Sequence, residues 1–281
     1  MIERRCFANA PDGSRMGYSI FTGPDPARPT MRFVLIHALA MDRTNWTEVI
    51  AALPEYAAVL AMDCRGHGVS DAGVGSFGFD QYADDIAAVM DDAGWPDAVI
   101  AGCSMGGCAA MAFAARHSRR AEGLLLIDTT AWYGESSVTD WQARADRARA
   151  GGMEALLAFQ TSRWFSPEFL DRNPAGVRRC IDVFQRNEIS AYTRACDMLG
   201  HADLRMLLPQ ITCPTRVIVG EHDYATPPTM AEAICVAILG ATREILAGVR
   251  HFTTIEAPLP IAEALLGLPN APTPPPAAAI R

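Results

Sequence analysis

Ser104, Asp223 and His251 are the residue types of acyl transfer, and they occur in that order along the chain. A serine hydroxyl attacks a carbonyl only once a base takes its proton, and that base needs a carboxylate to orient it. Ser104 stands in Gly102-Cys103-Ser104-Met105-Gly106, after the apolar run Val99-Ile100-Ala101 and before the small apolar residues Cys108 to Phe113. A strand that turns into a helix within a couple of residues crowds the turn. The glycines supply the missing bulk, and the serine is forced into a strained, exposed conformation. The same five residues would also serve an ordinary turn; the strand before and the helix after favour the nucleophile elbow.

The partners of such a serine must lie C-terminal to it. Asp223, in Gly220-Glu221-His222-Asp223, follows a strand ending near Val219, and His251 follows the last strand by a short loop. Asp128, at the end of Leu124-Leu125-Leu126-Ile127, is a second acid at the same edge and an alternative to Asp223, which we favour. Of the other histidines, His117 ends a helix as a solvated cation, His201 is exposed, and His67 and His37 brace loops. Cys103 adjoins the serine but points away from the elbow. The oxyanion formed on attack needs donors; we assign the N–H of Met105, opening the elbow helix, and that of Leu39, in Ile36-His37-Ala38-Leu39-Ala40.

These residues require a sheet that presents strand ends along one edge. Extended runs at 4–8 and 16–22 flank Pro11-Asp12-Gly13, a hairpin signal. Strands follow at 33–36, 57–62, 97–102 and 122–127, with helices near 46–53, 79–93 and from the elbow to His117. Such alternation predicts a parallel sheet with helices on both faces. Between 129 and 214 amphipathic helical segments replace the strands, an inserted helical cap. Strands return at 215–220 and 243–246, with helices near 229–239 and 255–266. The expected organisation is a core over 1–128 and 215–267, a cap over 129–214, and a disordered Pro-rich tail over 268–281.

With 281 residues, half of them apolar, the chain can bury a large core. The 24 Lys and Arg against 32 Asp and Glu give a net charge of -8, and no basic cluster interleaves with aromatics, which argues against nucleic acid as a partner. The apolar runs are too short for a bilayer, and Met1-Ile2-Glu3-Arg4-Arg5 does not open a secretory signal. The 8 cysteines sit singly, without metal-binding spacing, as buried thiols of a reducing compartment. The expectation is a cytoplasmic protein with no membrane partner, no metal and no cofactor; nothing in the sequence fixes its oligomeric state.

The motifs together resemble the α/β-hydrolase family: Leu35-Ile36-His37, Asp63-Cys64-Arg65-Gly66-His67-Gly68-Val69-Ser70-Asp71, the elbow, Gly220-Glu221-His222-Asp223 and His251. Within it, Met41 to Trp46, Arg163 to Phe169, Trp141 with Arg144, Asp203-Leu204-Arg205 and Asp223 to Pro228 resemble the 3-oxoadipate enol-lactonase group. Departures are Ala38 and Ala40 where many relatives carry a glycine, Thr253 and Thr254 in the segment after His251, and the bulky Thr129 to Tyr133. The resemblance implies an α/β fold with a mostly parallel eight-stranded sheet flanked by helices. It implies a serine hydrolase of aromatic-compound catabolism that opens a small enol-lactone through an acyl-enzyme. Arg144, Arg163 or Arg43 would pair with a substrate carboxylate, and Trp46, Trp132, Trp141 and Trp164 would wall the pocket. Each of these also fits a core or surface position. Other readings are a carboxylesterase, a carbon-carbon bond hydrolase, and a ligand-binding scaffold without catalysis.

Overall fold

A computed structural model describes residues 1–24 and 31–268. Strands β1 (Ile2–Asn9) and β2 (Arg15–Thr22) form the antiparallel hairpin around Pro11-Asp12-Gly13. β3 (Met31–Ile36) leads through a short turn of 3-10 helix, Arg43–Trp46, into α1 (Thr47–Ala52). Then come β4 (Ala57–Met62), α2 (Phe79–Asp92), β5 (Ala98–Cys103), α3 (Met105–Arg116) and β6 (Ala121–Ile127). Five helices follow before the next strand: α4 (Ser137–Gly151), α5 (Glu154–Trp164), α6 (Pro167–Arg172), α7 (Pro174–Gln185) and α8 (Ile189–Gly200). The chain closes on β7 (Thr215–Gly220), α9 (Pro228–Ala237), β8 (Thr242–Leu246), α10 (Thr253–Glu256) and α11 (Pro258–Gly267).

The eight strands lie in the order β1-β2-β4-β3-β5-β6-β7-β8, parallel from β4 onward. β4 and β5 are buried at every position, as parallel strands covered on both faces must be, and for that reason they read as continuous apolar runs. The edge strands β1 and β8 are largely exposed. From β3 the chain goes to β4 on one side and then crosses to β5 on the other, so a crevice opens between the carboxyl ends of β3 and β5. The elbow follows β5 and the Leu39 loop follows β3, which sets both at that crevice.

The single helix expected at 255–266 is two. Pro258 disfavours helical backbone at the residue before it, and Ala257 accordingly sits at φ -137°, ψ 63° between α10 and α11. Leu268, first residue of the expected tail, is fully buried and packs against β6 at Gly123; residues 269–281 lie outside the described residues. The loop after β4 is pinned by Arg65, only 1% exposed, which pairs with Asp85 at 2.6 Å and Asp12 at 2.7 Å. His67 donates its Nδ1 hydrogen to the Arg65 carbonyl in the same loop. All eight cysteines are free thiols. No helix among the described residues is long and apolar enough to cross a membrane.

Candidate active site

The backbone at Ser104 is strained, at φ 54° and ψ -118°, a region costing of order 1–3 kcal/mol for a residue with a side chain. The turn closes because Gly102 and Gly106 have no Cβ: one at Gly102 would collide with the Gly106 carbonyl, and one at Gly106 with the Ile36 carbonyl of β3. The Ser104 N–H is held by Ile127 O at 2.8 Å. Its hydroxyl lies 3.0 Å from His251 Nε2, and His251 Nδ1 lies 2.8 Å from Asp223 Oδ2. The carboxylate fixes the tautomer: Nδ1 carries the hydrogen, and Nε2 is left to accept from the serine.

Asp223, 4% exposed, accepts from the N–H groups of Ala225 and Thr226 at 2.8 and 3.0 Å and from the Thr226 hydroxyl at 2.8 Å. Burial pushes its pKa up, but the charge and hydrogen bond of His251 and the Thr226 bonds outweigh it, and the carboxyl is held below its ordinary range. For His251, burial pulls down, and the charge and hydrogen bond of Asp223 with the charge of Asp128 overcome it, so the imidazole is raised above its ordinary value.

Asp128 does not touch His251 by hydrogen bond. It accepts from Gly220 N at 3.1 Å and from the Thr253 N–H and hydroxyl at 3.0 and 2.8 Å, tying together the segments that bear Asp223 and His251. Burial and the Asp223 charge push its pKa well up. Thr254, the neighbouring departure, accepts from Asn45 Nδ2 at 2.6 Å, and Asn45 Oδ1 accepts from Ala38 N at 3.3 Å. The two threonines are thus anchors of the histidine segment. Nothing in the sequence distinguished that role from exposed loop positions.

Ala38 to Met41 is a tight turn, closed by Met41 N to Ala38 O at 3.1 Å. The N–H groups of Leu39 and Met105 meet no acceptor among the described residues, and both belong to segments beside Ser104. His37 accepts from Cys64 N at Nε2 and donates from Nδ1 to Ala38 O, which makes it a brace for this loop; burial lowers its pKa to about 4, so it stays neutral. Cys103 is fully buried and its thiol is pushed well up by burial.

Over Ser104 lies a cavity of about 470 Å³, floored by Ala38, Leu39, Ser104 and His251 and roofed by α4 and α5. Trp141, Arg144, Arg163 and Trp164 all line it. Arg144 is half-buried; it donates from Nε to the Tyr192 hydroxyl at 2.6 Å and lies 5.0 Å from the centre of the Trp141 ring. Arg163 stacks on Phe159 at 3.6 Å from the ring centre, and burial together with the Arg144 charge lowers its pKa. Neither guanidinium has a carboxylate partner among the described residues. Trp164 stacks on Phe252, ring centres 5.1 Å apart, beside His251.

Three expected pocket residues are elsewhere. Trp46 is fully buried in the core and does not line the cavity. Trp132 lies outside the cavity; its backbone bridges Asp203 and its ring carries the Arg205 guanidinium at 4.0 Å. Arg43 is paired with the buried Asp63. Tyr133, one residue beyond Trp132, lines the cavity instead, its ring against Trp141. Successive side chains of an extended segment face opposite ways, so the aromatic pair Trp132-Tyr133 was the available signal, with no means of choosing between them. Gln160 and Phe252 also line the cavity and carried no signal of their own.

A family model described as the alpha/beta hydrolase fold matches residues 32–258. The chain is 30% identical over 243 residues to 3-oxoadipate enol-lactonase 2 of Acinetobacter baylyi, covering 86% of this chain and 88% of the relative. It is 28% identical over 225 residues to a pimeloyl-acyl-carrier-protein methyl ester esterase of Neisseria meningitidis, covering 77% and 85%. The crystal structure of the enol-lactonase from Burkholderia xenovorans LB400 superposes with a TM-score of 0.87 at 32% identity, covering 95% of this chain and all of that one. Eight strands in this order, a serine elbow after β5 and a family match over most of its length establish that the chain belongs to the alpha/beta hydrolase fold family.

Proposed function

We propose that the protein is a serine hydrolase that opens a small enol-lactone bearing a carboxylate arm, of the 3-oxoadipate enol-lactone type. The observation that carries this reading is the continuous hydrogen-bonded path from Asp223 through His251 to Ser104, beneath a cavity whose guanidinium at Arg144 has no anionic partner among the described residues. A positive charge held half-buried without a counter-ion is costly unless a ligand supplies one. The enol-lactonase relatives support the same chemistry.

In this reading Ser104 Oγ gives its proton to His251 Nε2 and attacks the lactone carbonyl carbon. The carbonyl oxygen becomes an oxyanion held by the N–H groups of Leu39 and Met105, and Asp223 stabilises the imidazolium. Collapse breaks the ring C–O bond, and His251 returns the proton to the leaving enol oxygen. The enol tautomerises to a ketone, which makes the opening hard to reverse. Water activated by His251 then hydrolyses the acyl-enzyme. Arg144 binds the carboxylate arm, Arg163 adds positive charge, and Trp141 and Trp164 wall the ring. Residues 129–214 act as a cap over a core formed by 1–128 and 215–267. Free thiols throughout fit a reducing, cytoplasmic setting.

Rates on the enol-lactone, on its neutral methyl ester and on an aryl ester test the reading. The carboxylate-bearing lactone is expected to be preferred, and Ser104→Ala to abolish turnover of all three. Preference for straight-chain methyl esters would instead favour a carboxylesterase, the activity named for the Neisseria relative. Folded protein that a fluorophosphonate fails to label at Ser104 would point to a scaffold without catalysis.

A further inference from the structure

The turn that carries the Leu39 N–H is built from residues that do not favour it. Ala38 O accepts from Met41 N at 3.1 Å, Ala40 sits at φ 59°, and Leu39 is not among the residues with positive φ, which together define a type II turn. That turn ordinarily takes glycine at its third position, because an L side chain resists the left-handed region. With alanine there, residue 40 is strained, and the turn gains by letting it leave the left-handed region, which shifts the Ala40 carbonyl and loosens the turn as a whole, unless something outside the turn holds it.

His37 and Asn45 hold the first residue of the turn, Ala38, and a single side-chain hydrogen bond holds the strained Ala40. Asn187, just beyond the end of α7, donates from Nδ2 to Ala40 O at 2.8 Å. The same nitrogen lies 3.1 Å from Val183 O and 3.1 Å from Phe184 O, carbonyls of the last turn of α7 that also accept from the Arg186 and Asn187 N–H groups at 3.2 and 3.3 Å. The amide therefore joins the end of α7 to the turn. Of the other polar ties between this helical region and the core, Arg186 meets Asp42 at 3.7 Å one residue beyond the turn, while Arg179 pairs with Glu48 at 2.5 Å and Arg194 reaches the carbonyls of Ala72, Gly73 and Gly75, away from it.

We propose that Asn187 is a positioning residue for the oxyanion site: it holds the turn of Ala38 to Met41 in the form that offers the Leu39 N–H, and it makes that form depend on α7 being seated. The inference rests on the serine-hydrolase reading, and it adds that the helical region contributes to the chemical step as well as to substrate selection. Asn187 acts through Leu39 and touches no substrate atom.

The test uses p-nitrophenyl butyrate and phenylboronic acid, whose boron takes Ser104 Oγ as a fourth ligand and sets a hydroxyl of the resulting tetrahedral boronate anion where the oxyanion forms. Asn187→Ala, and Asn187→Asp, which keeps the shape but loses the donor, are expected to lower kcat about tenfold with KM within about twofold. Boronate affinity should weaken by a similar factor. Arg194→Ala, which cuts a tie away from the turn, should leave both unchanged. In an Ala40→Gly background, where the left-handed conformation needs no support, Asn187→Ala should cost less than about threefold. The proposal is overturned if the Asn187 variants keep kcat within twofold, or if their loss is the same in both backgrounds. Ser104→Ala measured alongside keeps the two readings apart: turnover surviving there overturns the serine mechanism, whereas turnover lost there but intact in both Asn187 variants overturns the positioning role alone.

Discussion

The carboxyl edge of the sheet and the helices above it build one cavity by different means. At the edge, Ser104, Asp223 and His251 each stand within a few residues of a strand end, on β5, β7 and β8, and parallel ladders fix how far apart those ends lie. Their hydrogen bonds, at 2.8 and 3.0 Å, follow from short backbone segments that Asp128 and Asn45 lash together. Above, on α4 and α5, no ladder sets the distance to Ser104. A side chain there faces the cavity only if helix packing turns it that way. The edge is therefore the rigid part of the cavity wall, and α4 and α5 are where its lining can change without moving Ser104, Asp223 or His251.

The hardest test of this division is Ser104→Ala, which should lower kcat by on the order of 10⁴-fold or more with the fold intact by circular dichroism. A loss below about tenfold would mean that the edge is not where the bond is broken. Next in size is Arg144→Ala. Truncating one side of a charge-assisted pair should cost the carboxylate-bearing lactone about 10²-fold in kcat/KM and leave its methyl ester within about threefold. Equal losses on both substrates would show that Arg144 supports the roof structurally instead of reading the arm.

The same division explains what the sequence disclosed. The positions of Ser104, Asp223 and His251 at one edge were legible because each follows a local pattern: small residues at a strand-to-helix turn, or a polar residue one loop beyond an apolar run. Asp223 could be separated from Asp128 only by family order, since both end strands at the same edge; in the structure Asp223 takes the imidazole and Asp128 takes Gly220 and Thr253. Four of the expected pocket residues line the cavity, Trp141, Arg144, Arg163 and Trp164, and helical spacing accounts for one pair of them. Trp141 and Arg144 sit three apart on α4 and share a face, and both line the cavity. Trp46 and Trp132 had the right chemistry, but packing against distant segments sent one into the core and the other toward Arg205. Asn187 gave no signal because its partner, Ala40, lies 147 residues away.

A milder pair of substitutions tests the assignment of those tryptophans. Trp141→Ala removes a wall of the cavity and the ring under Arg144, so kcat/KM on the lactone should fall about tenfold. Trp132→Ala removes a ring outside it, and kcat/KM should stay within about twofold while Tm drops a little from the lost contact with Arg205. Similar kinetic losses at both positions would undo the distinction between them.

The smallest effect concerns charge at the edge itself. His251 is raised above 6.5, so the folded state gains stability from its protonation, fully present below 6.5 and lost as pH rises through the folded value. Asp223 is held below 3.8, so its contribution is present above 3.8 and lost as pH falls through its folded value. Between those limits both partners are charged in the folded protein. The Tm gap between wild type and Asp223→Asn should therefore be widest near pH 5 and shrink toward pH 9, by a few degrees at about 2–4 °C per kcal/mol. Activity should run the other way: a general base must be neutral, so kcat/KM should climb with pH through the raised His251 value, where the pair's stabilisation fades. Only the edge should behave so. The Tm gap between wild type and Arg144→Ala should be flat across the same range, because a guanidinium stays protonated throughout. A gap for Asp223→Asn that widened with pH would mean that the imidazole is held neutral in the resting protein.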